Sequence, residues 1–174
     1  MNDQERLTRF ESELLPLMND AYNLARWLVQ NDQDAHDMVQ ETYLRAFRFF
    51  GGMRGATSRA WLLRIVRNVC YHHLRKRQVS TDSSDSNQED LPDTGPSPEA
   101  VLETKSEIAA VRKALANLPE DFRTVLVLRE MEELSYREIS EITQVPIGTV
   151  MSRLARGRQH LADLLKEMRA KDLL

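Results

Sequence analysis

With one cysteine, six glycines and aromatic residues at only 6% of its 174 positions, this chain lacks the materials that several protein classes require. A lone thiol, Cys70, forms no internal disulfide, which excludes a stapled secreted domain and fits a reducing cytoplasm. No apolar run approaches the roughly 20 residues of a membrane helix, so no membrane insertion is expected. The polar opening MNDQERLTRF is not expected to be a signal peptide. No glycine-rich loop is arranged to cradle a phosphate, and no nucleophile–base pair is recognisable. His36, Asp37 and Glu41 do not complete a metal set, nor does the pair His72 and His73, because adjacent helical residues point about 100° apart. No catalytic residue, metal or cofactor is therefore expected.

Charge is balanced overall, at −3, but unevenly distributed. Residues 1–77 carry twelve Lys and Arg against nine Asp and Glu, and residues 105–174 carry twelve against eleven. Between them, residues 78–104 hold seven acids and no base. From Arg45 to Arg77 the pattern inverts, with nine basic residues and no acid. Acidity is thus confined to a spacer rich in Ser, Asp, Pro and Gly, and basic surfaces lie on either side. That composition is expected to be flexible or extended, dividing an all-α chain into two small helical domains at residues 1–77 and 105–174.

Helical periodicity dominates the first block. Leu14, Leu15, Met18, Tyr22, Leu24, Ala25 and Leu28 fit a first amphipathic helix interrupted at Pro16. Asp34 is expected to cap the next helix, whose apolar side is Met38, Val39, Thr42, Ala46 and Phe49. Its other side is a stripe of Asp37, Gln40, Glu41, Leu44 and Arg48. The glycines at 51, 52 and 55 break the helix, and Ser58 is expected to cap another over residues 59–77. There Leu62, Ile65, Val66, Val69 and Cys70 form one face, and Arg64, Arg67, Asn68, Tyr71 and Arg75 form the opposite stripe, with Trp61 on its edge. Guanidinium groups interleaved with aromatic rings suit a surface that grips phosphates and stacks on unpaired bases.

In the second block, residues 135–158 read SYREISEITQVPIGTVMSRLARGR, two short helical patterns broken at Val145-Pro146. Ser135 and Glu138 make a capping box for the first. On a wheel of the second, Ile147, Val150, Met151 and Leu154 fall on one side, with Leu161 continuing it. Thr149, Ser152, Arg153 and Arg156 fall on the other, as major-groove and phosphate contact by a helix-turn-helix requires.

Three strings in order, DAHDMVQETYLRAF, RAWLLRIVRNVCYHHLRKR and LPEDFRTVLVLREMEELSYREISEITQVPIGTVMSRLARGR, resemble bacterial RNA polymerase sigma factors of the sigma-70 superfamily. The nearest class is the small extracytoplasmic-function (ECF) group. The resemblance implies region two in residues 1–77, a linker in 78–104 and region four in 105–174. It implies that Asp37, Gln40, Glu41, Leu44 and Arg48 dock on the beta-prime clamp helices of core polymerase. Phe50, Met53 and Arg54 of the glycine loop, with Trp61, Arg64, Arg67, Asn68, Tyr71 and Arg75, are implied to capture and melt the minus-ten element. Thr149, Ser152, Arg153, Arg156 and Arg158 are implied to read the minus-thirty-five element, with the beta flap and an anti-sigma factor as further partners. Four positions depart from the pattern. His36 stands where an acid is usual, Glu133 and Gln144 where glycines are often found, and Met151 where many members carry Lys or Arg.

Two other classes compete. An autonomous helix-turn-helix regulator accounts for the second block but leaves the basic, aromatic-bearing helix of residues 59–77 unexplained. An anti-sigma-like interaction protein needs no DNA-facing arginines in either block.

Overall fold

A computed structural model describes residues 2–81 and 98–172, and every regular element among them is helical. The first, α1 (Asp3–Leu14), lies ahead of where apolar periodicity starts. It is held by a capping box in which the Asn2 side chain accepts from the Glu5 amide at 2.8 Å and the Glu5 carboxylate accepts from the Asn2 amide at 3.0 Å. Its buried residues are Phe10 and Leu14. Pro16 sits in a 3₁₀ turn, Leu15–Leu17, that re-aims the chain into α2 (Met18–Val29).

Two caps differ from those the sequence indicates. Asn31, not Asp34, caps α3 (Asp32–Phe49), accepting from the Asp34 amide at 2.9 Å, while the Asp34 carboxylate pairs with Arg77 at 2.6 Å. Thr57, one residue before the expected cap, accepts from the Ala60 amide at 3.1 Å at the start of α4 (Ser58–Thr81). Helices α2, α3 and α4 pack together around Leu24, Leu28, Met38, Ala46, Leu62 and Val66.

The second half contains α5 (Pro98–Asn117), α6 (Glu120–Leu126), one π turn (Val127–Met131), α7 (Tyr136–Thr143) and α8 (Ile147–Asp172). The Arg123 guanidinium donates to the carbonyls of Leu115, Ala116 and Leu118, each at 2.9 Å, and so satisfies the open C-terminal end of α5. Where α8 crosses α6, a β-carbon on Gly157 meets Leu126 and Phe122 at 3.3 Å, so glycine sets that close approach. Ser135 and Glu138 form the expected capping box of α7. Gln144 then turns the chain in a left-handed conformation, φ 58°.

Helix extends into both ends of the stretch expected to be a linker, because α4 runs on to Thr81 and α5 starts at Pro98. Nothing stops α4 at residue 77, since no glycine or proline occurs between Gly55 and Pro92. Pro98 is suited to a first helical turn. Residues 82–97 of the expected linker lie outside the described residues.

The two halves pack against each other, with α7 on α4 and the π turn on α2. Tyr71 on α4 shares a 2.6 Å hydrogen bond with Thr124 on α6, and Arg75 pairs with Glu120 at 2.6 Å. Gln30 donates its amide to the Arg112 carbonyl at 2.8 Å, and the Arg112 guanidinium lies 5.6 Å from the Trp27 ring centre. Arg59 bridges Asp20 at 2.9 Å and Glu138 at 3.8 Å.

Candidate nucleic-acid interface

Three surfaces carry the residues singled out from sequence. The first is the outer face of α3. Asp37, Gln40, Leu44 and Arg48 are exposed and Glu41 half-exposed, in one unbroken stripe. Leu44 is 67% exposed and Phe47 beside it 43%, so an apolar ridge runs between the acids and Arg48. Glu41 is tied to Arg45 at 2.7 Å, and Asp37 accepts a longer bond from Gln33 at 3.3 Å. Apolar side chains exposed among charges suit a protein partner better than solvent.

The second surface surrounds the glycine-bearing turn after α3. Phe50 is buried, edge-on to Phe10 at 5.5 Å and to Trp61 at 6.4 Å, so it belongs to the core and not to an open loop. Phe49, expected inside, is 60% exposed. The 3₁₀ turn Phe50–Gly52 explains the exchange, because it rotates Phe50 into the slot that a continuing helix would give to its neighbour. Arg54 is exposed and Met53 half-buried, and Gly55 takes φ 72° in a conformation that other residues resist. Arg6, Arg48, Phe49, Gly51, Gly52 and Trp61 line an open cleft of about 500 Å³. Trp61 is otherwise buried and offers this cleft only an edge.

Along α4 the expected polar stripe is only partly open. Asn68 and Arg75 are exposed, Arg64 and Arg67 half-buried, and Tyr71 is buried. Tyr71 lies on the side of α4 that the wheel gives to the polar stripe, but α6 covers that side. Its ring lies between the guanidinium groups of Arg67 and Arg123, each 5.8 Å from the ring centre, and its hydroxyl also donates to the Glu120 carbonyl at 3.2 Å. Burial pushes the phenol up to about 12. Arg45, Arg67, Asn68, His72, Arg75 and Glu120 line an open cavity of about 260 Å³ beside it.

The third surface is the exposed side of α8, which is rotated from the sequence expectation. Val150, Leu154 and Gly157 form the buried seam, whereas Ile147 and Met151, expected in the core, are 45% and 53% exposed. The buried seam is narrower than the apolar set because Gly157 draws α8 tightly onto α6. Ser152 and Arg156 are exposed and Thr149 half-buried. Arg153 leans inward to Asp121 at 3.5 Å, and Arg158 pairs with Glu130 of the π turn at 2.7 Å. The intervening partners Glu120, Thr124 and Glu130 carry no signal in the sequence, since each becomes relevant only through a contact distant along the chain.

Comparison with known proteins adds to this geometry. Residues 16–79 match the family model "Sigma-70 region 2" and residues 108–161 match "Sigma-70, region 4". The RNA polymerase sigma-H factor of Pseudomonas aeruginosa is 37% identical over 150 residues, covering 80% of this chain and 77% of that protein. The ECF RNA polymerase sigma factor SigE of Mycolicibacterium smegmatis is 34% identical over 164 residues, covering 94% of this chain; the chain spans 64% of that relative's length. Among solved structures, the sigma factor RpoE of Bartonella quintana, in complex with the anti-sigma factor NepR, superposes with a TM-score of 0.70 at 29% identity. That match covers 91% of this chain and 97% of the other.

Proposed function

Because the chain belongs to the sigma-70 family of RNA polymerase sigma factors, in its extracytoplasmic-function branch, we infer that it binds core polymerase, selects promoters and helps to open them. The observation that carries this reading is that both halves bear an arginine-lined surface of different character. One adjoins a cleft with aromatic walls, and the other lies on the second helix of a helix-turn-helix. A cleft of that kind suits an unstacked base, whose extrusion costs a few kcal/mol that ring and cation contacts must offset. A helix-turn-helix suits intact duplex.

In this reading the α3 stripe of Asp37, Gln40, Glu41, Leu44 and Arg48 meets the beta-prime clamp helices. Met53, Arg54, Arg64, Arg67, Asn68 and Arg75 hold the minus-ten strand, and Phe50 and Trp61 support them from the core. Tyr71 joins that set when α4 and α6 part. Ser152 and Arg156 face the minus-thirty-five duplex, with Thr149, Arg153 and Arg158 at its margin. The chain acts through binding and carries no chemistry of its own, and it works in the cytoplasm beside polymerase. An anti-sigma partner is supported by the resemblance to RpoE, which was solved with one bound. Among the described residues, no helix is long and apolar enough to cross a membrane.

The test is direct. Purified chain titrated into core RNA polymerase is expected to bind tightly, and the complex to retain promoter DNA that neither component selects alone. Retention of palindromic duplex by the chain without polymerase, and no association with core enzyme, would instead support an autonomous regulator.

A further inference from the structure

The exposed face of α8 is poorer in cations than its sequence suggests. Arg153 has a side chain only 24% exposed and turns toward Asp121, and Arg158 is occupied by Glu130. What faces outward over the first three turns is Ile147, Gly148, Met151, Ser152, Ala155 and Arg156. Ile147, Met151 and Ala155 follow one another at intervals of four, making a single apolar strip, with Ser152 and Arg156 as the parallel strip beside it. A β-carbon on Gly148 meets no atom within 4 Å, so the packing of the protein does not require glycine there. Its lack of a side chain lowers the profile of the helix next to Met151.

Single exposed apolar residues are common and need no explanation. Position is what distinguishes this strip, because it occupies the middle of the N-terminal outer face of a second helix, the part that reaches base edges in a helix-turn-helix. From residue 142 to residue 162 the chain contains no acid, which matches a polyanion and gives a protein partner's cations nothing to pair with. On a base pair seen from the major groove, the apolar feature is the 5-methyl group of thymine. We propose that Met151, flanked by Ile147, reads a thymine methyl in the upstream promoter element. The contact sets sequence preference by apolar burial at a place where a cation would read guanine or hold a phosphate. This assignment rests on the reading above that α8 enters duplex DNA upstream.

The experiment uses holoenzyme reconstituted with the full chain. A promoter duplex is first enriched from a pool randomised through the upstream element, and each thymine in that element is then replaced singly by deoxyuridine, which removes only the methyl. At one position the loss is expected to weaken binding about fourfold, the effect of one buried methyl. Met151→Ala should weaken binding of the thymine duplex by a similar factor and no longer distinguish thymine from uracil there. Arg156→Ala serves as the companion, weakening binding while keeping the discrimination. Indifference of the wild type to every methyl removal overturns the proposal, as does discrimination that persists in Met151→Ala. A Met151→Ala variant that loses affinity for core polymerase, with duplex selection unchanged, overturns it in favour of a protein contact. If neither Met151→Ala nor Arg156→Ala changes duplex binding, or no upstream element is enriched, the placement of α8 in the groove falls as well.

Discussion

Among the described residues, three other than glycine, Gln30, Glu133 and Gln144, hold left-handed backbone at φ 62°, 54° and 58°. Each pays about 1 kcal/mol for a β-carbon crowded against the next carbonyl. At Glu133 and Gln144 the resemblance described above implies glycine, the residue that this conformation favours. Their contexts differ from that of Gln30. Gln144 is exposed and caps α7 through its backbone amide, bonded to the Ser140 carbonyl at 2.8 Å. Gln30 uses its side chain as well, reaching the Arg112 carbonyl in the other half at 2.8 Å. Gln144→Gly should therefore raise stability by up to about 1 kcal/mol, read as a higher urea midpoint. Gln30→Gly should show no such gain, because it gives up a hydrogen bond worth about 1 kcal/mol. Equal gains in both variants would mean that the Gln30 side chain contributes nothing to the contact between halves.

At the scale of the element, α3 is the helix whose sequence and structure agree most closely. Its buried residues Met38, Val39, Thr42 and Ala46 are those that the period of 3.6 indicates, with Phe49 at its end the exception, because only one of its sides meets other helices. The outer stripe is consequently free of structural duty, and that makes it testable. Asp37→Arg should reduce affinity for core polymerase at least tenfold in a titration while leaving the helical circular dichroism and thermal midpoint unchanged. Unaltered affinity would remove Asp37 from the docking surface. Helix α4 is harder to read, since both of its sides are covered and periodicity does not say by what. Its Arg64–Arg75 stripe looks solvent-facing in sequence, yet at Tyr71 and Arg75 it meets α6 in the fold. The phase of α8 is obscured for another reason. Ile147 and Met151 are apolar and helically spaced, yet a glycine ten residues after Ile147 decides which strip is drawn into the core. The π turn at Val127–Met131, with its Glu132 amide bonded to the Val127 carbonyl, has no sequence signature at all.

For the whole molecule, the contact between halves has a titratable element. Glu132, at the end of the π turn, is pushed up to about 7, first by burial and then by the facing Asp20 carboxylate, with Arg59 opposing both. Glu138 shares the Arg59 guanidinium and belongs to the same cluster. A carboxyl whose affinity for a proton is raised by packing favours the packed form when protonated. The closed arrangement is thus undisturbed by this group below its ordinary value of 4.5, is increasingly penalised as pH rises from there to about 7, and carries the full penalty above that. Energy transfer between labels on α2 and α8 should report halves that separate more readily at pH 8 than at pH 6. Glu132→Gln should flatten that dependence, and Tyr71→Phe should favour separation about fivefold at either pH by removing a buried hydrogen bond. A Glu132→Gln protein with the wild-type pH profile would place the dependence elsewhere.

The closed arrangement treats the two surfaces proposed to face DNA unequally. Tyr71 is sheathed against α6, whereas Met151, Ser152 and Arg156 are exposed among the described residues. The reader of duplex is therefore ready before the opener of strands is. On the roles proposed above, a chain built this way inspects intact DNA while its melting surface is withheld, so promoter opening becomes the later of two events. On that reading, a tyrosine hydroxyl letting go of a threonine is one of the contacts between the halves that sets the order.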